Sequence, residues 1–279
     1  MSMSDERRVA EHYHHGDLLH AIETAFRQSG KALSDMRIED LADIDEFHIG
    51  GRQATDQVLG QRMLSEQDHL LDIGCGLGGA CRYMADRYRC RVTGIDLTQT
   101  YIDTGNTLCS WVNLAQQVEL MAGSALAMPF EAARFSGAYM LHVGMNIEDK
   151  AQLCAEVHRV LTPGASFTLY DVMQEKPGAL LYPVPWATDA STSFVSSRED
   201  YIKHLEHAGF EISFVKNHAH FAMDYFQSEK KRVKAMGGRG LLGLHTLMQE
   251  EHPVKVRNMM QGLQHGFIAP VEINAIKVK

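Results

Sequence analysis

The stretch Leu70–Gly79, LLDIGCGLGG, decides how the rest of the chain is read. An apolar run enters a glycine-rich turn, and the turn satisfies two signatures at once. Gly74, Gly76 and Gly79 give G-x-G-x-x-G, the turn whose backbone cradles a dinucleotide pyrophosphate. Asp72, Gly74, Gly76 and Gly78 give D-x-G-x-G-x-G, with a carboxylate where a pyrophosphate loop has an apolar residue. That carboxylate repels a pyrophosphate and attracts an ammonium. The glycines let backbone N–H groups come close, and the positive N-terminus of the following helix favours an anionic group. A ligand with a carboxylate and an ammonium on neighbouring atoms suits both features.

Outward from the turn, strands alternate with helices. HLLDIG (69–74), CRVTGIDL (90–97), VELMAGS (118–124), FSGAYMLH (135–142) and SFTLYDV (166–172) read as strands. Helical segments follow the glycine turn and span about 98–113 and 147–161, the last stopped by TPGA with Pro163 and Gly164. This alternation predicts an α/β fold, a doubly wound, mainly parallel sheet whose ligand edge lies beyond the carboxyl ends of the strands. Residues 198–210 read as a helix and 211–219 as a strand, and His218 and His220, two apart, read as lying on one face of a strand there. Residues 221–265 read as helical, broken at GGRG (237–240) and Pro253, and 266–279 as a closing strand. The predicted organisation is an N-terminal helical cap and lid over 1–62, a ligand-binding core over 63–219, a helical cap insertion over 220–265, and the last core strand over 266–279.

At 279 residues the chain suits one large domain with a cap, and its 45% hydrophobic and 22% charged residues are ordinary for a globular protein. A net charge of −8 argues against nucleic acid as a partner, and EKKRVK (229–234) reads as the solvated face of a helix. No run approaches a membrane span, and the N-terminus lacks a signal-peptide core. Five cysteines without a C-x-x-C pair suggest reduced thiols and a cytoplasmic setting. The fifteen histidines, including the cluster at 12, 14 and 15, lack zinc-site spacing, so no metal is expected. Oligomeric state has no signature.

Asp96 ends the second strand, at the position of the acidic residue that accepts hydrogen bonds from ribose hydroxyls. Ribose, ammonium and carboxylate together describe S-adenosyl-L-methionine. LLDIGCGLGG, then GIDL, GSALAMPF and EVHRVLTPGASFTLYDV resemble the class I S-adenosylmethionine-dependent methyltransferases over residues 45–220. The resemblance implies a Rossmann-like sheet of seven strands with the last one antiparallel. It implies a cofactor set of Asp72, Gly74, Gly76, Gly78, Asp96, Leu97, Ser124, Ala125 and His142, with 124–125 near the adenine. Ser124 departs from the family, which often has an acidic residue there, and Ser136 replaces a common aspartate. The flanks EFHIGGRQAT, LHVGMNIEDK and YPVPWA resemble bacterial small-molecule methyltransferases of the sarcosine and dimethylglycine N-methyltransferase-like group.

Methyl transfer from a sulfonium is an in-line displacement in which positioning and exclusion of water dominate. His142, at the end of the fourth strand, is the candidate catalytic base, or else an orienting group. Tyr13, His48, Arg52, Met145, Asn146 and Trp186 are the candidate substrate contacts, Arg52 for a carboxylate and Trp186, with Tyr182 and Phe194, for a cationic amine. The expected reaction moves a methyl group to a small molecule, first to an amine nitrogen. Alternatives are an oxygen or carbon of a larger apolar metabolite, a nicotinamide-dependent oxidoreductase, and a non-catalytic cofactor-binding protein.

Overall fold

The structure, a computed structural model, describes residues 3–12, 18–60, 63–238, 240, 242–248 and 251–278. Helices α1 (Met3–His12), α2 (Leu18–Gln28), α3 (Ile38–Asp45) and α4 (Gly51–Leu59) precede the sheet. Then come β1 (His69–Ile73), α5 (Gly79–Tyr88), β2 (Arg91–Asp96), α6 (Gln99–Trp111) and β3 (Val118–Ala122). β4 (Phe135–Leu141), α7 (Lys150–Val160), β5 (Leu161–Gln174), α8 (Arg198–His207) and β6 (Phe210–Asn217) complete the alternation. α9 (Ala219–Ala235), α10 (Leu244–Met248) and α11 (His252–Gln264) lie between β6 and the closing strand β7 (Ile268–Lys277).

The seven strands form one sheet in the order β3-β2-β1-β4-β5-β7-β6. β1 to β5 pair in parallel, and β7 runs antiparallel to both β5 and β6. The doubly wound, mainly parallel fold read from the sequence is therefore the fold observed. Strand order reverses between β1 and β4, so the crevice beyond their carboxyl ends is the ligand edge of such a sheet. Helices cover both faces, which is why Leu70–Ile73 and Gly137–Leu141 read as unbroken buried runs rather than alternating ones.

Local chemistry sets the element ends. Asp149 accepts from Gln152 N (2.9 Å) at the start of α7, and Ser197 accepts from Asp200 N (3.1 Å) at the start of α8. Two details differ from the sequence reading. TPGA is not a stop turn outside the sheet: β5 already pairs at Leu161 with Phe135, and its register shifts before Ser166 meets Gly137, with Gly164 at φ +80°. The glycine lets the strand absorb the extra residues as an irregularity, where a turn was expected. Nor do His218 and His220 share a strand face. β6 stops at Asn217, His218 precedes α9 and is buried against Glu272 (2.9 Å), and His220 is exposed beside Asp224.

The first helices and the insertion meet over the sheet edge. Leu247 of α10 packs in one apolar cluster with Leu18, Ile22 and Phe26 of α2, Leu41 and Ile44 of α3, and Leu77 of the glycine turn. Beneath it, Arg82 of α5 donates to Asp45 of α3 at 2.6 Å, both side chains fully buried. Among the described residues no helix is long and apolar enough to cross a membrane.

Removing one partner of a fully buried ion pair leaves the other charge uncompensated. Arg82→Ala is expected to lower unfolding free energy by about 3–5 kcal/mol, measured as a lower urea midpoint at unchanged m-value.

Candidate functional site

The end of β2 holds the glycine turn. Gly74 N and Cys75 N both donate to Ile95 O (2.7 and 3.1 Å), and Gly76 N donates to Asp96 Oδ2 (3.0 Å). Such a tight return needs left-handed backbone at Gly74 (φ +74°) and Gly76 (φ +52°). A Cβ on Gly74 would collide with Val143, whereas one on Gly76 would meet no atom within 4 Å. Gly76 is therefore a bare floor. Above it lies a cleft of about 1090 Å³, mouth included, lined by the turn, the ends of β1, β2 and β4, and residues from α1, α3 and α10.

Carboxylates dominate its polar wall: Glu6, Asp45, Glu46, Asp72 and Asp96 line the cleft, and no lysine or arginine does among the described residues. Asp96 spends one lone pair of each oxygen on the backbone, Oδ2 on Gly76 N and Oδ1 on Thr98 N (2.8 Å). The remaining lone pairs can accept from a diol. Burial raises its pKa, and those two N–H groups oppose the rise. Asp72 is buried with Cys81 donating its S–H (3.1 Å), and burial pushes its pKa up to about 7. A cation beside Asp72 would restore its ionised form.

Two histidines form the other wall. His142 follows β4 with φ +55°, a left-handed backbone rare outside glycine and typical of functional positions. Its N–H donates to Tyr170 O (2.7 Å), and Nδ1 lies 3.3 Å from the same carbonyl. A carbonyl only accepts, so Nδ1 carries the proton and Nε2 the lone pair. That Nε2 is buried and makes no hydrogen bond in the structure. Burial lowers the pKa of His142 to about 3, aided by neighbouring His48, so the ring is neutral.

His48 also lines the cleft, its ring 6.0 Å from that of His142. Its Nε2 faces Gly51 O (3.1 Å), Thr55 Oγ1 (3.1 Å) and, at 3.7 Å, Glu46 Oε2. Thr55 gives its own proton to Glu46 (2.7 Å), so all three neighbours of Nε2 are acceptors and Nε2 must be the donor. Burial holds the His48 pKa down near 4. Tyr170 ties the two rings together: its hydroxyl donates to Ile49 O (3.0 Å), next to His48, and its carbonyl holds His142. Phe221 of α9 packs where a Cβ on Gly50 would sit, closing the turn that carries His48.

Of the residues singled out in the sequence, Asp72, Gly74, Gly76, Asp96, Leu97, Ala125, His142, His48 and Asn146 line this one cleft. Others stand outside its lining. Gly78 begins α5 with φ +79°, and Ser124 donates to Glu6. Arg52 is engaged by Glu46 (2.5 Å) and lies over the Tyr83 ring. Met145 and Trp186 are buried in a separate apolar cluster, Trp186 Nε1 donating to Ser193 (2.9 Å). Asn146 donates to the carbonyls of Trp186 (2.8 Å) and Thr192 (2.9 Å). Tyr13 lies outside the described residues. The sequence reading missed Glu6, Asp45, Glu46, Phe47 and Tyr101. Glu6 reaches the cleft together with Val9, three residues on along the same helix face, and nothing in that helix's own sequence marks where it docks. No group of three or more His, Cys, Asp or Glu side chains able to hold a metal ion occurs among the described residues.

Residues 71–169 match the methyltransferase domain family. A probable tocopherol O-methyltransferase of Oryza sativa subsp. japonica is 31% identical over 157 residues, 56% of this chain and 39% of that one. An O-methyltransferase of Penicillium expansum is 24% identical over 221 residues, 73% of this chain and 80% of that one. The crystal structure of a geranyl diphosphate C-methyltransferase from Streptomyces coelicolor, complexed with Mg2+, geranyl diphosphate and S-adenosyl-L-homocysteine, superimposes with a TM-score of 0.66. It is 16% identical, and the match covers 81% of this chain and 79% of that one. Residues 71–169 thus match a methyltransferase domain, the sheet has the α/β fold of the methyltransferase structures, and the chain spans about two fifths of the length of the rice relative.

The tautomers have a direct readout. In 15N-resolved imidazole spectra, His142 is expected to show a protonated Nδ1 and His48 a protonated Nε2, both keeping neutral-form shifts down to pH 5. A titration of either ring between pH 6 and 7 would contradict the assignment.

Proposed function

We propose that this chain, whose domain belongs to the class I S-adenosylmethionine-dependent methyltransferases, methylates a hydroxyl oxygen of an uncharged, largely apolar small molecule. The observation that carries the choice of acceptor is the buried, unpartnered Nε2 lone pair of His142 at the cleft wall. A hydroxyl is the donor that such a lone pair accepts, and it is a nucleophile that must lose its proton during transfer.

The cleft fits the cofactor. Asp96 has two lone pairs left for ribose hydroxyls, Asp72 a carboxylate for the ammonium, and Gly76 a bare floor for close backbone approach. Glu6 brings a carboxylate beside Ser124, the position where the family often carries its own. Arg82 and Arg52 pair with Asp45 and Glu46 from behind the wall, and the other three carboxylates of the lining, Glu6, Asp72 and Asp96, favour a cationic ligand. Once bound, S-adenosylmethionine supplies an activated methyl, so that the acceptor oxygen's lone pair forms the new O–C bond while the C–S electron pair goes to sulfur.

The protein's part is positioning and proton transfer. Val143 and Ile147 on the β4 side, Leu126, Phe47 and Leu247 enclose the cleft in apolar surface and exclude water. His142 Nε2 accepts the hydroxyl hydrogen bond, and its Nδ1–H stays anchored on Tyr170 O. As methyl transfer makes the oxygen positive, its proton becomes acidic enough for even a weakly basic, buried imidazole. His142 Nε2 takes it and returns it to solvent when the cleft opens.

Other acceptors are supported less. A glycine-like zwitterion requires a cation for its carboxylate, and Arg52 is already neutralised by Glu46. Trp186 is packed away from the cleft, which removes the main support for an aromatic cage around an amine. Both relatives' names support an oxygen acceptor, and that of the tocopherol O-methyltransferase supports an apolar one. The five cysteines are free and buried, which supports a reducing, cytoplasmic setting.

Asp96→Ala is expected to weaken S-adenosylmethionine binding by about 1.5–3 kcal/mol in calorimetry. His142→Asn tolerates the left-handed backbone and lacks the reach of imidazole. It is expected to lower kcat by roughly 10²-fold or more, with cofactor affinity nearly unchanged. Equal turnover by this variant in a screen of phenols and alcohols would overturn the hydroxyl reading.

A further inference from the structure

The mechanism above uses one histidine of the pair; His48 is left with an equally specific arrangement. Its Nε2–H is committed to Gly51 O and Thr55 Oγ1, so the neutral ring carries its lone pair on Nδ1, which has no hydrogen-bond partner among the described residues. His142 is the mirror case, with Nδ1–H committed to Tyr170 O and the Nε2 lone pair unpartnered. Both rings line the same cleft, 6.0 Å apart and inclined at 52°. Both are neutral and both are immobilised through Tyr170, so their spacing is part of the fold.

Resting on the hydroxyl reading, we propose that the acceptor carries two adjacent hydroxyl groups, a vicinal diol on an apolar ring, and that His48 is the residue that selects it. The two rings present one acceptor nitrogen each, so their complement is a pair of donors. Two hydroxyls on neighbouring atoms would give one hydrogen bond to each ring. A single hydroxyl satisfies only one imidazole and leaves the other lone pair desolvated against apolar surface. A site built this way rejects the analogue that lacks the second donor more strongly than an apolar pocket discriminates size.

The pair also assigns the outcome. The hydroxyl on His142 is methylated, and the one on His48 stays a hydroxyl because it must keep donating. After transfer the methylated oxygen has no proton to offer, so the monomethyl ether no longer satisfies both rings. The enzyme stops at one methyl group.

The test uses the purified full chain with S-adenosylmethionine and three probes: 2,3-dihydroxynaphthalene, 2-naphthol and 3-methoxy-2-naphthol. The diol is expected to exceed both others in kcat/KM by about 10-fold or more and to yield only its monomethyl ether. His48→Phe is expected to bring the diol to 2-naphthol ratio within about two-fold of unity. His48→Gln keeps a side-chain acceptor and is expected to retain part of the preference. Calorimetric binding of S-adenosylmethionine to each variant reports that the cleft has folded. Equal kcat/KM for diol and 2-naphthol, or a diol preference that survives His48→Phe, overturns the role of His48 while leaving the hydroxyl reading intact. If the protein binds the cofactor yet methylates none of the probes, the hydroxyl reading falls and this proposal falls with it.

Discussion

The ligand edge depends on how the end of one strand grips the turn after its neighbour. Ile95 O accepts from two consecutive amides, Gly74 N and Cys75 N, and the next residue, Asp96, accepts from Gly76 N. Those three bonds fold the turn back across the tip of β2 at left-handed φ values that glycine adopts at least cost. The same contact orients Asp96, because a carboxylate held by two backbone amides cannot rotate away. Strand pairing, turn geometry and the aim of an acidic side chain are therefore a single constraint. Moving any one of them would shift the other two.

Above this floor the protein keeps several charges out of water, and it does so in two different ways. Asp45 meets Arg82 in a buried ion pair: burial pushes its pKa up and the guanidinium opposes the rise. Asp72 has a thiol for company instead of a cation, and burial pushes its pKa up to about 7. An acid left in this condition is stabilised by whatever cation arrives beside it. The cleft lining offers no basic side chain that could do so from within the protein. A cationic ligand beside Asp72 would offset the cost of burying it and would tie a structural expense to recognition.

The sheet was legible because parallel strands buried on both faces leave unbroken apolar runs, and the glycine turn marks where the first one ends. Asp72, Asp96 and His142 were legible for the same reason, since each sits at the carboxyl end of a strand and such ends converge at the switch point. Residues reaching the cleft from elsewhere were harder to read. Glu6 and Val9 arrive from a helix far away in the chain, and Leu247 from the insertion, with no local signal of where those helices dock. Trp186 and Arg52 were misleading in another way. Their residue types suited an amine cage and a carboxylate clamp, yet Ser193 and Glu46 had already engaged them. Composition names what a side chain can do, while its partners decide what it is free to do. TPGA shows the same limit in the backbone, because a proline and a left-handed glycine fit inside a strand once the register shifts.

The neutrality of the two histidines follows from this electrostatic setting and serves it. An imidazolium at the cleft wall would oppose a sulfonium in the same enclosure, where low dielectric strengthens repulsion. Burial removes that conflict by holding both rings neutral, and their backbone acceptors decide which nitrogen keeps its proton. In the proposed hydroxyl methylation, basicity would be needed only once the methyl group had largely moved. The positive charge would then lie on the acceptor oxygen, and a neutral imidazole in contact with it would be the nearest place for the proton to go. A ring too weak to act as a base on the resting acceptor would thus be well matched to act on the product.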